Sequence, residues 1–158
     1  MTDMARSHHP PGGTARYDPW RDLLENWPEL DVVVEPMPGK LLGELRYPVI
    51  ALRSGTSAAQ QRCTLTHELI HLERGVDDCG PWAGREEVLV HSEAARRLVT
   101  LASLAGAIRE LGGDHDVGAL AQVLDVDRQT VLLRLRRLTT VERARLRAAV
   151  GTDPGWVA

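Results

Sequence analysis

The chain has 158 residues, 43% of them hydrophobic and 26% charged, with a formal net charge of −3. That length fits one domain with a sizeable core. Two cysteines, Cys63 and Cys79, exclude a disulfide scaffold, and 19 basic against 22 acidic residues argue against a generally basic nucleic-acid binder. No apolar run is long enough to span a bilayer, and residues 1–16 lack the apolar segment of a secretory signal. The expected location is the cytoplasm. One lysine, Lys40, stands against 18 arginines, and phenylalanine is absent. The arginine excess reads as genome base bias, and the core must be built from Leu, Val, Ile and Ala.

Residues 1–14 hold His8, His9, two prolines and two glycines and read as a disordered tail. Asp18-Pro19 opens a first helix, with Asp18 as N-cap and Pro19 at the first helical position. Trp20, Leu23, Leu24 and Trp27 fall on one face of it, and Pro28 ends it. Residues 31–35, 41–46 and 48–53 are short β-branched or apolar runs bounded by Pro, Gly or Ser, and predict a small three-stranded antiparallel sheet. Thr56 or Ser57 caps a helix over residues 58–73, closed by Gly75. Further helices are expected over residues 84–99, 101–111, 117–124, 128–138 and 141–150. The order is one helix, a strand cluster, then helices alone, so the class is α+β. The expected organisation is a tail at 1–14, a core at 15–111, a helical subdomain packed on it at 112–150, and a tail at 151–158.

The chemistry concentrates at His67-Glu68-Leu69-Ile70-His71, an H-E-x-x-H pattern inside a predicted helix. Residues four apart on a helix lie one above the other, so both imidazoles can reach one point. Zinc accepts neutral imidazole nitrogen. Glu68 falls beside that point, where it can take a proton from water and pass it to a leaving amine. Leu65, Leu69, Ile70 and Leu72 surround the pair, so the helix is half-buried rather than a solvated face with two chance histidines. A catalytic zinc needs a third protein ligand and an open position. Glu73 lies too close on the same helix. Asp77, Asp78 and Cys79 form a loop that could reach, and a Cys ligand would suit a closed structural site. Glu86 stands in a charge run with Arg85. Glu87 and His91 share a face of the next helix. Either Glu87 ligates with His91 hydrogen-bonded behind it, or His91 itself ligates.

The stretch from Arg62 to Gly75, read with the strands before it and the helix after it, resembles the metal-binding helix of the ImmA/IrrE family of zinc metallopeptidases, in its small phage or mobile-element form. In that family a second helix carries a Glu ligand, then Asp or Asn four residues on, then small residues. Here Glu87, His91 and Ala94-Ala95 stand at those offsets, so His91 replaces the usual Asp or Asn. The resemblance covers residues 20–149. It implies a zincin-like fold, one Zn2+ ion held by His67, His71 and Glu87, and Glu68 as the catalytic base. It implies a gluzincin-type metalloendopeptidase whose partner is a protein substrate, a transcriptional repressor of a phage, mobile element or stress response.

A rival reading comes from residues 119–135, which have helix-turn-helix rhythm, with Ala121, Val126, Val131 and Leu135 at the packing positions. Residues 128–147 hold seven arginines against Glu142 alone. A DNA-binding or protein-binding regulator with a structural or vestigial metal site is therefore the alternative. Asp125 and Asp127 put negative charge where phosphates would lie. Leu132 and Leu133 occupy positions that would face the DNA groove and suit a protein surface better. The expectation is no direct DNA binding and no membrane partner. Cys63 reads as a small buried hydrophobe. Tyr47 and nearby arginines are candidates for oxyanion stabilisation. His115 reads as a surface residue, and Trp82 as core.

Overall fold

The computed structural model describes residues 16–75, 83–113 and 116–151. The expected N-terminal tail with His8 and His9, residues 152–158, Asp77, Asp78, Cys79, Trp82 and His115 lie outside the described residues. In chain order the elements are α1 (Pro19–Asn26), β1 (Asp31–Glu35), β2 (Gly43–Arg46), β3 (Val49–Arg53), α2 (Ala58–Arg74), α3 (Ala83–Leu98), α4 (Leu101–Glu110), α5 (Val117–Leu124), α6 (Arg128–Arg136) and α7 (Thr140–Val150). The α+β class holds. Among the described residues no helix is long and apolar enough to cross a membrane.

Local chemistry sets the helix ends. Asp18 accepts the Trp20 amide at 3.0 Å and Pro19 sits in the first turn of α1. Ser57 and Gln60 form a reciprocal capping box on α2, so Ser57 and not Thr56 is the cap. Gly75 closes α2 at φ 63°, a left-handed position that suits glycine. The apolar stripe expected on α1 is only partly used. Leu23 is buried and Trp27 packs beside it, but Trp20 and Leu24 are 38% and 74% exposed.

The expected antiparallel sheet is instead mixed, in the order β1-β3-β2. β2 pairs antiparallel with β3, from Gly43↔Leu52 to Arg46↔Val49. β1 pairs parallel with β3, from Asp31↔Val49 to Glu35↔Arg53. Ile50, Ala51 and Leu52 are completely buried. An apolar run of that kind is stable only as the central strand, with both neighbours and both faces covered. Two chain reversals after β1 bring β3 back in the direction of β1, so insertion of β3 between the others makes that pair parallel. The charged strands Asp-Val-Val-Val-Glu and Gly-Glu-Leu-Arg then take the edges.

Helix α2 is the hub. Residues 62–66 and 68–70 are all buried. Leu65 and Leu69 join Leu23, Leu30, Ile50 and Leu52 in one cluster under the sheet. Cys63 joins a larger cluster built from Leu98, Leu104, Ile108, Leu120, Leu124 and Leu146 of the later helices. Ile70 meets Val90 and Ala94 of α3. Between α2 and β2 the approach is so close that a β-carbon on Gly43 would fall 2.3 Å from Thr64 Cγ2 and 3.1 Å from Glu68 Oε1.

One buried charge is tied down among the last helices. Arg134 donates through Nε to the Val99 carbonyl at 2.9 Å and through Nη2 to Glu142 at 2.7 Å. Glu142 also accepts the Thr139 amide at 2.9 Å, completing the capping box of α7. Arg134, and then the Thr139 amide, hold the Glu142 carboxyl down at about 2.

Two tests follow from this packing. Gly43→Ala should destabilise the fold by about 1–3 kcal/mol, the usual cost of overpacking. Adding Thr64→Ser, which removes the opposing methyl and keeps the hydroxyl, should restore most of it in thermal unfolding. A neutral Gly43→Ala would show that the two elements can move apart. Glu142→Gln should cost about 2 kcal/mol at pH 7, by leaving Arg134 buried and half-paired. Because the folded carboxyl lies below its unfolded value of about 4.3, its contribution is complete above about pH 4.3 and fades as pH falls toward 2. Urea melts of the two proteins should therefore converge near pH 2, and a gap that persists there would refute the assignment.

Candidate metal centre

His67 and His71 fall one turn apart on the side of α2 that faces α3. Their Nε2 atoms are 3.1 Å apart, and the rings meet edge to face with centroids 4.7 Å apart. Glu87, in the first half of α3, brings its carboxylate to both. Glu87 Oε1 lies 2.9 Å from His71 Nε2 and Oε2 lies 3.4 Å from His67 Nε2. One turn on, His91 Nε2 lies 3.5 Å from the same Oε2, and its ring centroid is 4.4 Å from that of His67. The structure thus brings together all four side chains that the sequence singled out for the metal. His67, Glu87 and His91 have ligand atoms within 4.8 Å of one another, while His71 makes the shortest contact to Glu87.

The donor set fits a divalent ion. Donors placed about 2.0–2.1 Å from a tetrahedral centre would be about 3.3 Å apart, and the spacings of 2.9–3.4 Å among His67, His71 and the two Glu87 oxygens bracket that value. Burial, then the neighbouring His91 and His71, push His67 down to about 3. Its imidazole is therefore neutral, the form that ligates. His67 Nδ1 is buried without a hydrogen-bond partner among the described residues. The ring is thus fixed by its Nε2 side, where the carboxylate and the second imidazole lie.

Glu68 lies beside this cluster, between it and β2. It is 7% exposed. Burial, and then the charge of Glu87, push its carboxyl up to about 7, while a hydrogen bond from the Leu45 amide partly offsets the rise. Sequence reasoning passed over this side of the site. Gly43 lets β2 come close enough for Leu45 to reach Glu68. A glycine inside the short run Leu-Leu-Gly-Glu-Leu was the available signal, since glycine in a strand marks a close backbone approach. The Arg53 amide bonds the Leu42 carbonyl at 2.8 Å. Alternation then points the Glu44 and Arg46 main chain at β3 and that of Gly43 and Leu45 outward, at the site.

Other candidates go elsewhere. Glu73 is held by Arg97 through two bonds of 2.6 Å, a clamp between α2 and α3. Glu86 pairs with Arg74. Tyr47 sits in the hairpin turn, 66% exposed, and does not line the cleft beside Glu68. Cys63 is buried, as expected, and Sγ accepts from the Asp127 amide and the Thr130 hydroxyl, each at 3.4 Å. Burial raises its thiol to about 11, so it is inert.

Comparisons with curated proteins and with solved structures return no match. Comparison with protein families matches residues 29–136 to peptidase M78, the IrrE N-terminal-like domain. The matched span holds the whole sheet, α2 and α3 with the four clustered side chains, and the helices through α6. It covers more than half of the chain, which therefore belongs to the peptidase M78, IrrE N-terminal-like family of metallopeptidases.

Proposed function

We propose that this chain is a zinc-dependent metalloendopeptidase of the gluzincin type, cutting one specific protein partner, a transcriptional repressor of a phage, mobile element or stress response. The observation that carries the reading is the carboxylate of Glu87 set 2.9 and 3.4 Å from the imidazole nitrogens of His71 and His67, with a buried Glu68 next to them on α2. His67, His71 and Glu87 would hold the ion. When bound, it supplies Lewis-acid polarisation of a peptide carbonyl and acidifies water.

The chain's own residues supply the proton transfers and the positioning. Glu68 takes the proton from the attacking water and returns it to the departing amine. The Leu45 main chain lies beside its carboxylate and favours the charged form. β2 is an edge strand, and Gly43 at its start lines the cleft, so an extended segment can lie beside it by strand addition. His91 is largely exposed and stands one turn beyond Glu87, where it orients the Glu87 carboxylate and leaves one position open. The repressor as substrate rests on the family resemblance of residues 62–75 and of Glu87 with His91.

Metal content tests the site. The zinc-supplied wild type should bind one equivalent, His71→Ala and Glu87→Ala should bind none, and His91→Ala should keep it. Zinc lost with His91→Ala would make His91 a ligand and leave no open position. Glu68→Gln should keep the metal while cleavage of a quenched-fluorescent peptide library falls at least 100-fold, the scale of a lost general base. Undiminished cleavage in Glu68→Gln would remove Glu68 from the mechanism.

A further inference from the structure

The site opens into a cleft of about 1410 Å³. That is larger than the ordinary small-molecule pocket of about 300–1,000 Å³. Its floor is one face of α2, from Ser57 through Gln60 and Thr64 to His67 and Glu68. The eleven helical residues 58–68 make that floor about 16 Å long, room for about five residues of extended peptide at about 3.3 Å each. One wall is the lead-in to β2, with Leu41 and Leu42 exposed to the cleft. The facing wall is α6, the second helix of the segment whose rhythm suggested DNA binding.

The two sides of α6 differ. Val131 and Arg134 are buried. Gln129, Leu132, Leu133 and Arg136, at the spacing of a single helical face, line the cleft instead, joined by Arg137. Arg136 and Arg137 are exposed and form no ion pair among the described residues. Nearer the other end, Asp125 and Asp127 also line the cleft. The Asp127 carboxylate is already engaged by the Thr130 amide at 2.7 Å. Arg128 also lines the cleft, so on this wall three arginines stand against Asp125 and Asp127, and the end at Arg136 and Arg137 is positive, beside a patch of leucines.

We propose that this wall of α6 selects the substrate, and that it takes an extended segment carrying leucine-like side chains with an acidic residue within about five positions of the bond that is cut. The inference rests on the peptidase reading for the word substrate, but the binding preference stands by itself. Duplex DNA is the poorer fit. A recognition helix must protrude to enter a major groove about 12 Å wide. α6 is instead packed on both α3 and α5 and faces α2 across the cleft. Leu132 and Leu133 would also present apolar side chains to the groove.

The test uses the Glu68→Gln chain supplied with zinc, so that bound peptides stay intact. Two fluorescein-labelled 12-residue libraries share a Leu-rich centre, one flanked by Asp and Glu, the other by Lys and Arg. Fluorescence anisotropy should show the acidic library binding about tenfold more tightly, from two exposed charge pairs of modest strength. Salt at 0.5 M should erase most of the difference. Arg136→Glu with Arg137→Glu should reverse it, and the milder Gln pair should abolish it. Equal binding of the two libraries, or a preference that survives charge reversal, would overturn the assignment. So would tight binding of duplex DNA that is lost with the same substitutions. Acidic preference without cleavage by the zinc-supplied wild type would sink the peptidase reading and leave the groove assignment standing. Cleavage without acidic preference would do the opposite.

Discussion

Everything in this structure depends on α2 being buried on nearly every side while carrying a polar sequence. A helix that reads Arg-Cys-Thr-Leu-Thr-His-Glu over residues 62–68 can enter a core only if each polar group finds a partner there. Each of the buried ones does, His67 Nδ1 apart. Arg62 donates to the Asp125 carbonyl at 2.8 Å and to the Tyr17 carbonyl at 2.7 Å. Thr64 and Thr66 bond the carbonyls one turn back, each at 2.8 Å. Glu68 takes the Leu45 amide, and the two histidines meet Glu87. The polar residues therefore choose α2's neighbours as firmly as its leucines do. Moving β2, α3 or the α5–α6 turn would leave one of these groups unpaired in the interior.

That economy also links the two walls of the cleft. Arg62 and Cys63 on adjacent positions of α2 both engage the turn before α6, at Asp125 and at Asp127 with Thr130. The Glu73–Arg97 clamp sets α3 against the far end of α2. Arg134 then ties α6 to the carbonyl of Val99, just past α3. Helices α2, α3 and α6 so form a closed set of polar ties around the apolar contacts. The arginines at these junctions are not exchangeable for lysine, because Arg62 and Arg134 each reach two acceptors at once, as a planar fork can. An arginine excess that composition alone assigns to base bias thus includes residues that hold the architecture together.

The parts legible in the sequence were those governed by local periodicity and by short motifs. Helix positions, the Asp18 cap, a cap at Thr56 or Ser57 and the Gly75 stop follow from residue type within a few positions. The meeting of His67 with His71 follows from helix geometry alone, and their meeting with Glu87 and His91 needed only that α2 and α3 pack. The sheet was misread because pairing direction is a long-range property, and the buried run Ile50-Ala51-Leu52 signalled a central strand without saying which neighbours would flank it. The surroundings of Glu68 were missed for the same reason. No local pattern connects Gly43 and Leu45 with a residue more than twenty positions downstream. On α1, the periodic stripe of Trp20 and Leu24 outran the surface available to cover it, since the core beneath is filled by Leu23, Leu30 and Leu52.

The centre itself is lopsided in a way that matters for the proposed chemistry. The α2 side is dry, with His67 and His71 side chains 17% and 16% exposed, while on the α3 side Glu87 and His91 are 46% and 59% exposed. Electrostatic interactions strengthen as water is excluded. The side chains that must hold fixed geometry are thus built into the core, and the half that remains wet is the half a partner would cover. A short peptide leaves much of that surface in water, whereas a folded partner seated across α3, α6 and the lead-in to β2 dries it. Discrimination and rate would then come from the same contact, because a partner large enough to seal the cleft would dry the Glu87 and His91 half as the α2 half already is.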